Sequence, residues 1–222
     1  MGLLSIVATP IGNLEDITLR AIRVLKEADY ILCEDTRVTG KLLKHYDIVT
    51  KTKRYDAHAS EKVHADILAD LEAGKHIALV SDAGTPGVSD PGVLLIGRAR
   101  EAGVIIEVIP GPSAVTAAFS ISGLVGNQFS FLGFVPQKKG RETFFKKLSS
   151  YEHPVIFFES THRILKTLGS LQEYYSGSHI LIGRELTKHF EEVLSGTAAE
   201  LLSQLQNYPE KQKGEFVVIF SK

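Results

Sequence analysis

Three stretches of this 222-residue chain combine glycine and proline with small or hydroxylated residues: Thr9-Pro10-Ile11-Gly12-Asn13, Ser81 to Gly92, and Pro110-Gly111-Pro112-Ser113-Ala114. Each follows an apolar run. The middle stretch holds Gly84, Gly87 and Gly92 with Pro86 and Pro91, which makes a stiff surface poor in side chains across which backbone can approach a ligand. The first and third read equally well as ordinary strand-to-helix turns. Asp82 adds a carboxylate, either for a ligand or for an Asx turn. The familiar nucleotide signatures are absent: no loop ends in Gly-Lys-Ser/Thr, and no Gly-x-Gly-x-x-Gly follows the first apolar run, which disfavours ordinary NTP hydrolysis and standard dinucleotide binding. The nucleophile elbow of serine hydrolases is missing too.

The elements that must position these loops follow from hydrophobic period. Branched apolar runs alternate with helical segments through the first half, the pattern of βαβ units around a parallel sheet. Strands are expected at 3–9, 30–33, 77–81 and 105–109, with an edge strand at 53–55. Thr18 is the expected cap of a helix burying Leu19, Ile22 and Leu25. A second helix runs from Val38 to Tyr46 with Leu42 and Leu43 inward. A third, capped by Ser60 and closed by Gly74, buries Val63, Ile67, Leu68 and Leu71. A fourth spans 92–102. Pro110-Gly111-Pro112 ends a first α/β domain, 1–112, with a mainly parallel sheet. Residues 113–222 form a second α/β domain with a mixed sheet. Its strands are expected at 129–133, 155–158, 180–183, 190–195 and 215–221, and its helices at 113–120, 140–151, 161–175 (capped by Ser160) and 197–206.

Composition narrows the class of function. With 44% apolar and 23% charged residues the chain is globular. A formal charge of -1 supplies no global attraction to phosphate polymers, so nucleic-acid binding needs a local patch. Lys138, Lys139, Arg141, Lys146 and Lys147 form the densest one, beside Phe134, Phe144 and Phe145. It suits phosphates and splayed bases, or is a solvated helix face over buried aromatics. No apolar run reaches the roughly 18 residues of a membrane span and no leader precedes Leu3, so a cytoplasmic protein is expected. The lone Cys33 rules out an internal disulfide, and the eight histidines form no pair at ligand spacing, so no metal is expected.

Seven motifs in order carry a family resemblance: Ala8 to Leu14, Cys33-Glu34-Asp35-Thr36-Arg37, Ser81 to Pro86, Pro110 to Ala114, Phe158-Glu159-Ser160-Thr161-His162-Arg163, Arg184-Glu185-Leu186-Thr187-Lys188 and Lys213-Gly214-Glu215. Together they resemble the bacterial 16S rRNA ribose 2′-O-methyltransferase I family of the tetrapyrrole methylase superfamily. The resemblance implies S-adenosylmethionine in a cleft between two α/β domains, and 2′-O-methylation of a cytidine in the decoding region of 16S rRNA, on naked rRNA or an assembled 30S subunit. It further implies a homodimer. The cofactor would be lined by Pro10, Asp82, Ala83, Gly84, Thr85, Val88, Ser113 and Ala114, with Phe158, Leu186 and Gly214 from the second domain; Phe158 and Leu186 read nearly as well as plain core. The chain departs from the family where His58-Ala59-Ser60 replaces His-Asn-Glu, and where it stops at Lys222 instead of continuing into a C-terminal extension, which implies weaker RNA affinity or a shortened form.

A ribose hydroxyl is a poor nucleophile at neutral pH, so a general base is expected among Glu34, Asp35, His58 and Glu159. Glu34 and Asp35 could instead pair with Arg37, and His58 could be an ordinary surface residue. A small-molecule tetrapyrrole methyltransferase and a non-catalytic nucleotide-binding module are the alternative functions.

Overall fold

A computed structural model describes residues 2–89 and 92–222; Asp90 and Pro91 of the long glycine loop lie outside the described residues. The chain divides into two compact units, one ending at Ser113 and the other beginning at Ala114.

The first unit is a five-stranded sheet in the order β3-β2-β4-β1-β5, built from β1 (Leu3–Val7), β2 (Tyr30–Cys33), β3 (Thr52–Arg54), β4 (His76–Val80) and β5 (Ile105–Ile109). Every pairing is parallel. Strands covered on both faces read as continuous apolar runs, and here successive residues divide between two cores. Val7, Ile31, Cys33, Ala78, Val80 and Ile109 face α1 (Leu19–Glu27) and α2 (Thr36–His45). Leu4, Ile6, Tyr30, Leu32, Ile77 and Leu79 face α3 (Glu61–Glu72) and α4 (Val93–Glu101). The one polar residue inside central strand β1, Ser5, is fully buried and satisfied across both neighbours: its Oγ lies 2.7 Å from Glu107 Oε1 and 2.8 Å from His76 Nε2.

Helix α1 is capped by the Thr18 hydroxyl, but the buried face differs from expectation. Ala21, Val24, Leu25 and Ala28, at spacing i, i+3, i+4, i+7, enter the core, while Leu19 at the first turn is 86% exposed. In α3, His64 is buried as well as Ile67 and Leu71, its imidazole held by the Tyr55 hydroxyl at 3.0 Å. No apolar period could reveal a histidine placed there.

The second unit is a mixed sheet, β6-β7-β10-β8-β9, of β6 (Ser130–Phe134), β7 (Val155–Ser160), β8 (His179–Arg184), β9 (Glu192–Thr197) and β10 (Glu215–Ser221). Only β6 and β7 are parallel. Helices α5 (Ala114–Ser120), α6 (Arg141–Lys147), α7 (Ile164–Tyr174) and α8 (Ala198–Asn207) complete it. Thr197 and Glu200 close a capping box on α8. Ser160 does not cap α7: β7 continues through it, and α7 starts after Arg163. The expected long basic helix is α6 followed by a single 3₁₀ turn, Leu148–Ser150.

A charged cluster lies at these boundaries. The side chain of Glu159 is wholly buried, pairs with Arg163 Nε at 2.9 Å and Arg141 Nη1 at 3.7 Å, and accepts hydrogen bonds from Ser160 N and Thr167 Oγ1. Arg141 Nη2 in turn donates to Thr167 Oγ1 at 2.8 Å. Removing one member of a buried pair leaves its partner uncompensated. Glu159→Ala is therefore expected to lower unfolding free energy by about 3–5 kcal/mol, with Glu159→Gln intermediate because it retains hydrogen-bonding capacity; urea denaturation followed by circular dichroism measures both.

Candidate functional site

Parallel strands end at one edge of the sheet, and the crevice beyond their carboxyl ends is where such sheets bind ligands. The loops after β1, β4 and β5 are locked together there. Thr9 N donates to Gly84 O at 2.9 Å and Gly84 N to Thr9 O at 3.0 Å. Thr9 Oγ1 donates to Ser81 O at 3.1 Å, and Thr85 Oγ1 to Pro112 O at 3.3 Å. Gly84 has φ +81°, a left-handed conformation that a side chain would strain, so the junction favours glycine. Pro10 and Gly84 are buried, Asp82 and Thr85 half-buried, and Ala83 and Val88 exposed. Ser113 and Ala114 follow on at the end of the third loop, Ala114 opening α5.

The loop after β2 joins the same edge through Asp35 N, which donates to Asp82 Oδ1 at 3.1 Å. Of the three candidate bases that lie in this unit, two are ill suited. Asp35 caps α2, accepting from Arg37 N at 2.8 Å, and pairs with Arg37 Nη2 at 2.6 Å. Hydrogen bonds from Arg37 hold it far below the usual carboxylate range. His58 lies on an exposed turn whose N–H donates to Asp56 Oδ1, and Ser60 beside it caps α3. Glu34 differs. It is half-buried, and burial first, then the negative charges of Asp82 and Asp56, push its carboxyl above its ordinary value, against the pull of Arg54. Glu159, the fourth candidate, is enclosed by its arginines in the other unit.

In the second unit, Phe158, Leu186 and Gly214 also share a sheet edge, because antiparallel β10 begins where β7 and β8 end. Thr161 Oγ1 donates to Gly214 O at 2.7 Å and accepts from Gly214 N at 2.9 Å. Glu215 N donates to Glu185 Oε1 at 2.8 Å, and Lys188 Nζ bridges Glu185 and Glu215. Gly214, at φ +118°, leaves room for the Glu185 side chain, whose Cγ would stand 2.6 Å from an added Cβ. Leu186 is buried over Gly183, and Phe158 is half-buried. The turn depends on left-handed Glu185 and Thr187, residue types that give no sequence signal for that conformation.

The basic patch is smaller than its residue count. Arg141 points inward to Glu159, Lys146 pairs with Glu142 at 2.5 Å, and Phe145 is buried with Phe144 packed against it. Lys138, Lys139 and Lys147 stay exposed, as does Phe134. Among the described residues, no group of three His, Cys, Asp or Glu side chains is placed to hold a metal ion, and no helix is long and apolar enough to cross a membrane.

Comparison with known proteins gives concordant results. The tetrapyrrole (corrin/porphyrin) methylase family matches residues 3–202. A ribosomal RNA small subunit methyltransferase I of Thermotoga maritima is 42% identical over 221 residues, covering 100% of this chain and 99% of its own. That of Halalkalibacterium halodurans is 46% identical over 219 residues, 98% of this chain and 75% of its own, so only the latter has a long segment beyond the match. Among solved structures, a diphthine synthase superposes with TM-score 0.77 at 16% identity, covering 100% of this chain and 90% of that one. A cobalt precorrin-4 methyltransferase superposes with TM-score 0.73 at 17% identity, covering 98% and 94%. At these identities the structural likeness speaks for the fold alone.

The environment of Glu34 sets a sign for pH dependence. Its folded-state value lies above its unfolded one, so Glu34 favours folding at acid pH and that contribution is lost as pH rises through the folded value. Glu34→Gln should be more stable than the parent at neutral pH, with the gain shrinking toward acid pH. Carbon-13 NMR of the Glu34 carboxyl should show titration above the ordinary range, moved down by Asp82→Asn.

Proposed function

Since the chain belongs to the tetrapyrrole (corrin/porphyrin) methylase family and, within it, to the rRNA small subunit methyltransferase I group, we propose that it uses S-adenosylmethionine to methylate the 2′-hydroxyl of a cytidine ribose in the decoding region of 16S rRNA. The observation that supports this reading best is the near end-to-end identity of 42% to a relative of that name, joined to a carboxyl edge whose loops are pinned to each other and faced by carboxylates.

The residues at that edge fit the cofactor. A zwitterionic amino acid joined to a cationic sulfur and an adenosine needs approachable backbone, a carboxylate and an apolar wall. Ala83 offers exposed backbone with little side chain, Asp82 a carboxylate and Val88 apolar surface; Pro10 and Gly84, both buried, hold the loops that carry them, and Thr85, Ser113 and Ala114 complete the set. Phe158, Leu186 and Gly214, which share an edge of the second sheet, are the contacts assigned there. S-adenosylmethionine supplies the electrophilic methyl group.

The chain's own task is to position the acceptor and remove its proton. Glu34 is the base: it takes the proton from ribose O2′ as that oxygen attacks. A carboxyl raised above its ordinary value accepts a proton more readily than Asp35, which Arg37 holds in its charged form. Asp35 is therefore a positioning residue, fixing the loop through Asp82, and His58 has no assigned step. The substrate is naked rRNA or the assembled 30S subunit, met in the cytoplasm. A homodimer is part of the same reading, supported by apolar side chains left exposed on α4 and edge strand β5: Val93, Leu94, Ile105 and Val108.

Isothermal calorimetry should show S-adenosylmethionine binding that Gly84→Val abolishes while circular dichroism stays native; unaltered affinity moves the cofactor elsewhere. Glu34→Gln should bind cofactor normally and lose about 10²–10⁴-fold in kcat, and the parent rate should rise with pH through the Glu34 titration. Mass mapping of small-subunit rRNA should lose one ribose methyl when the protein is removed. Sedimentation velocity at micromolar concentration should give a dimer; a single monomeric species counts against it.

A further inference from the structure

Edge strand β6 contains a device that no regular strand would have. Phe131 and Phe134 are three residues apart, so in a uniform pleat they would point to opposite faces. Both nevertheless pack on the same ring, Phe158, at centroid distances of 4.9 Å and 5.3 Å. The register explains it. Phe131 pairs with Ile156 and Phe134 with Phe158, so β6 uses three steps where β7 uses two, and left-handed Gly133 (φ +67°) absorbs the extra residue. Such a bulge re-aims a side chain. The side chain it re-aims, Phe134, is left 55% exposed.

The segment that follows is held on both sides. Val135 N donates to Phe158 O at 3.3 Å, Arg163 Nη1 donates to Val135 O at 2.7 Å, and Arg141 Nη1 donates to Pro136 O at 3.4 Å. Both guanidinium groups are anchored on buried Glu159. The backbone from Phe134 to Pro136 is thus fixed before any ligand arrives. Immediately beyond it, Lys138 and Lys139 are exposed and pair with no described carboxylate.

We propose that Phe134, Lys138 and Lys139 form a docking platform for single-stranded RNA, the ring stacking one unpaired base and the two ammonium groups meeting the flanking phosphates; this rests on the rRNA methyltransferase reading and names the surface by which the substrate is held. A bare aromatic beside a cationic loop is the combination that single-stranded nucleic acid recognition uses, because every base has a face to stack and every nucleotide a phosphate. The chain's net charge of -1 makes a local cluster the only electrostatic route. Arg141 belongs to the support of the platform and not to its surface.

The test uses the whole protein with a single-stranded rRNA oligonucleotide and, separately, with unmethylated 30S subunits, in filter binding across a salt series. Phe134→Ala should weaken oligonucleotide binding about tenfold with the salt slope unchanged, and Phe134→Trp should restore it. Lys138→Gln/Lys139→Gln should flatten the log-log salt slope by up to about 1.4. Both should raise KM, leave kcat within about twofold, and leave S-adenosylmethionine affinity by calorimetry as in the parent. Parental RNA affinity in Phe134→Ala, or a parental salt slope in the lysine variant, overturns the platform. A Phe134→Ala loss seen only with 30S subunits and not with the oligonucleotide overturns it as well, placing a ribosomal protein on the ring. If the parent itself transfers no methyl group to either RNA, the methyltransferase reading has failed and the platform falls with it.

Discussion

The shared direction of the five strands in the first sheet constrains everything that follows from it. With β3, β2, β4, β1 and β5 all parallel, four separate loops are delivered to one edge without any of them needing to reach. What remains is to stop them moving. The paired hydrogen bonds between Thr9 and Gly84 do this at the centre, and Thr85 with Pro112 and Asp35 with Asp82 extend the lock outward to the loops after β5 and β2. Backbone held in this way offers fixed dipoles to a ligand with no ordering cost at binding.

Charge is handled in two opposite ways in the two units. In the first, Glu34, Asp35, Asp56 and Asp82 gather at the rim; Asp35 pairs with Arg37 and Asp56 with Arg54, while Glu34 has no ion-pair partner among the described residues. The result is one carboxyl raised above its usual range by burial and by its neighbours. In the second unit Glu159 is buried more deeply still, yet two arginines and a threonine hydroxyl compensate it, which makes it a strut. Burial alone does not mark a reactive group; the presence or absence of compensation decides.

Much of this architecture is legible in sequence. Strands 105–109 and 215–221 coincide with β5 and β10 residue for residue, because branched apolar runs bounded by turn residues leave little freedom. Helix faces are less legible: Leu19 is as apolar as Leu25, and only the angle around the helix from Ala21, Val24 and Ala28 tells them apart. The basic run misled for a different reason. Nothing local distinguishes Arg141 from Lys138 and Lys139, since its partner Glu159 lies eighteen residues on, in strand β7. Phe134 had a readable clue, the glycine inside an otherwise apolar strand, which commonly marks a bulge. The pinned turn at Glu185 and Thr187 had none.

The buried Ser5 in the middle of β1 has a consequence for the order in which the chain acquires structure. Its two partners, His76 and Glu107, are 71 and 102 residues downstream, and β1 has no strand neighbour other than β4 and β5. At synthesis rates of about 5–20 residues per second, β1 leaves the ribosome roughly 5–20 s before its final neighbour. Until β4 is made, Leu3, Leu4, Ile6 and Val7 have no edge to join, so the nascent segment that carries β1 is a natural client for a chaperone, and the first unit closes only when β5 slides in on the other side of β1.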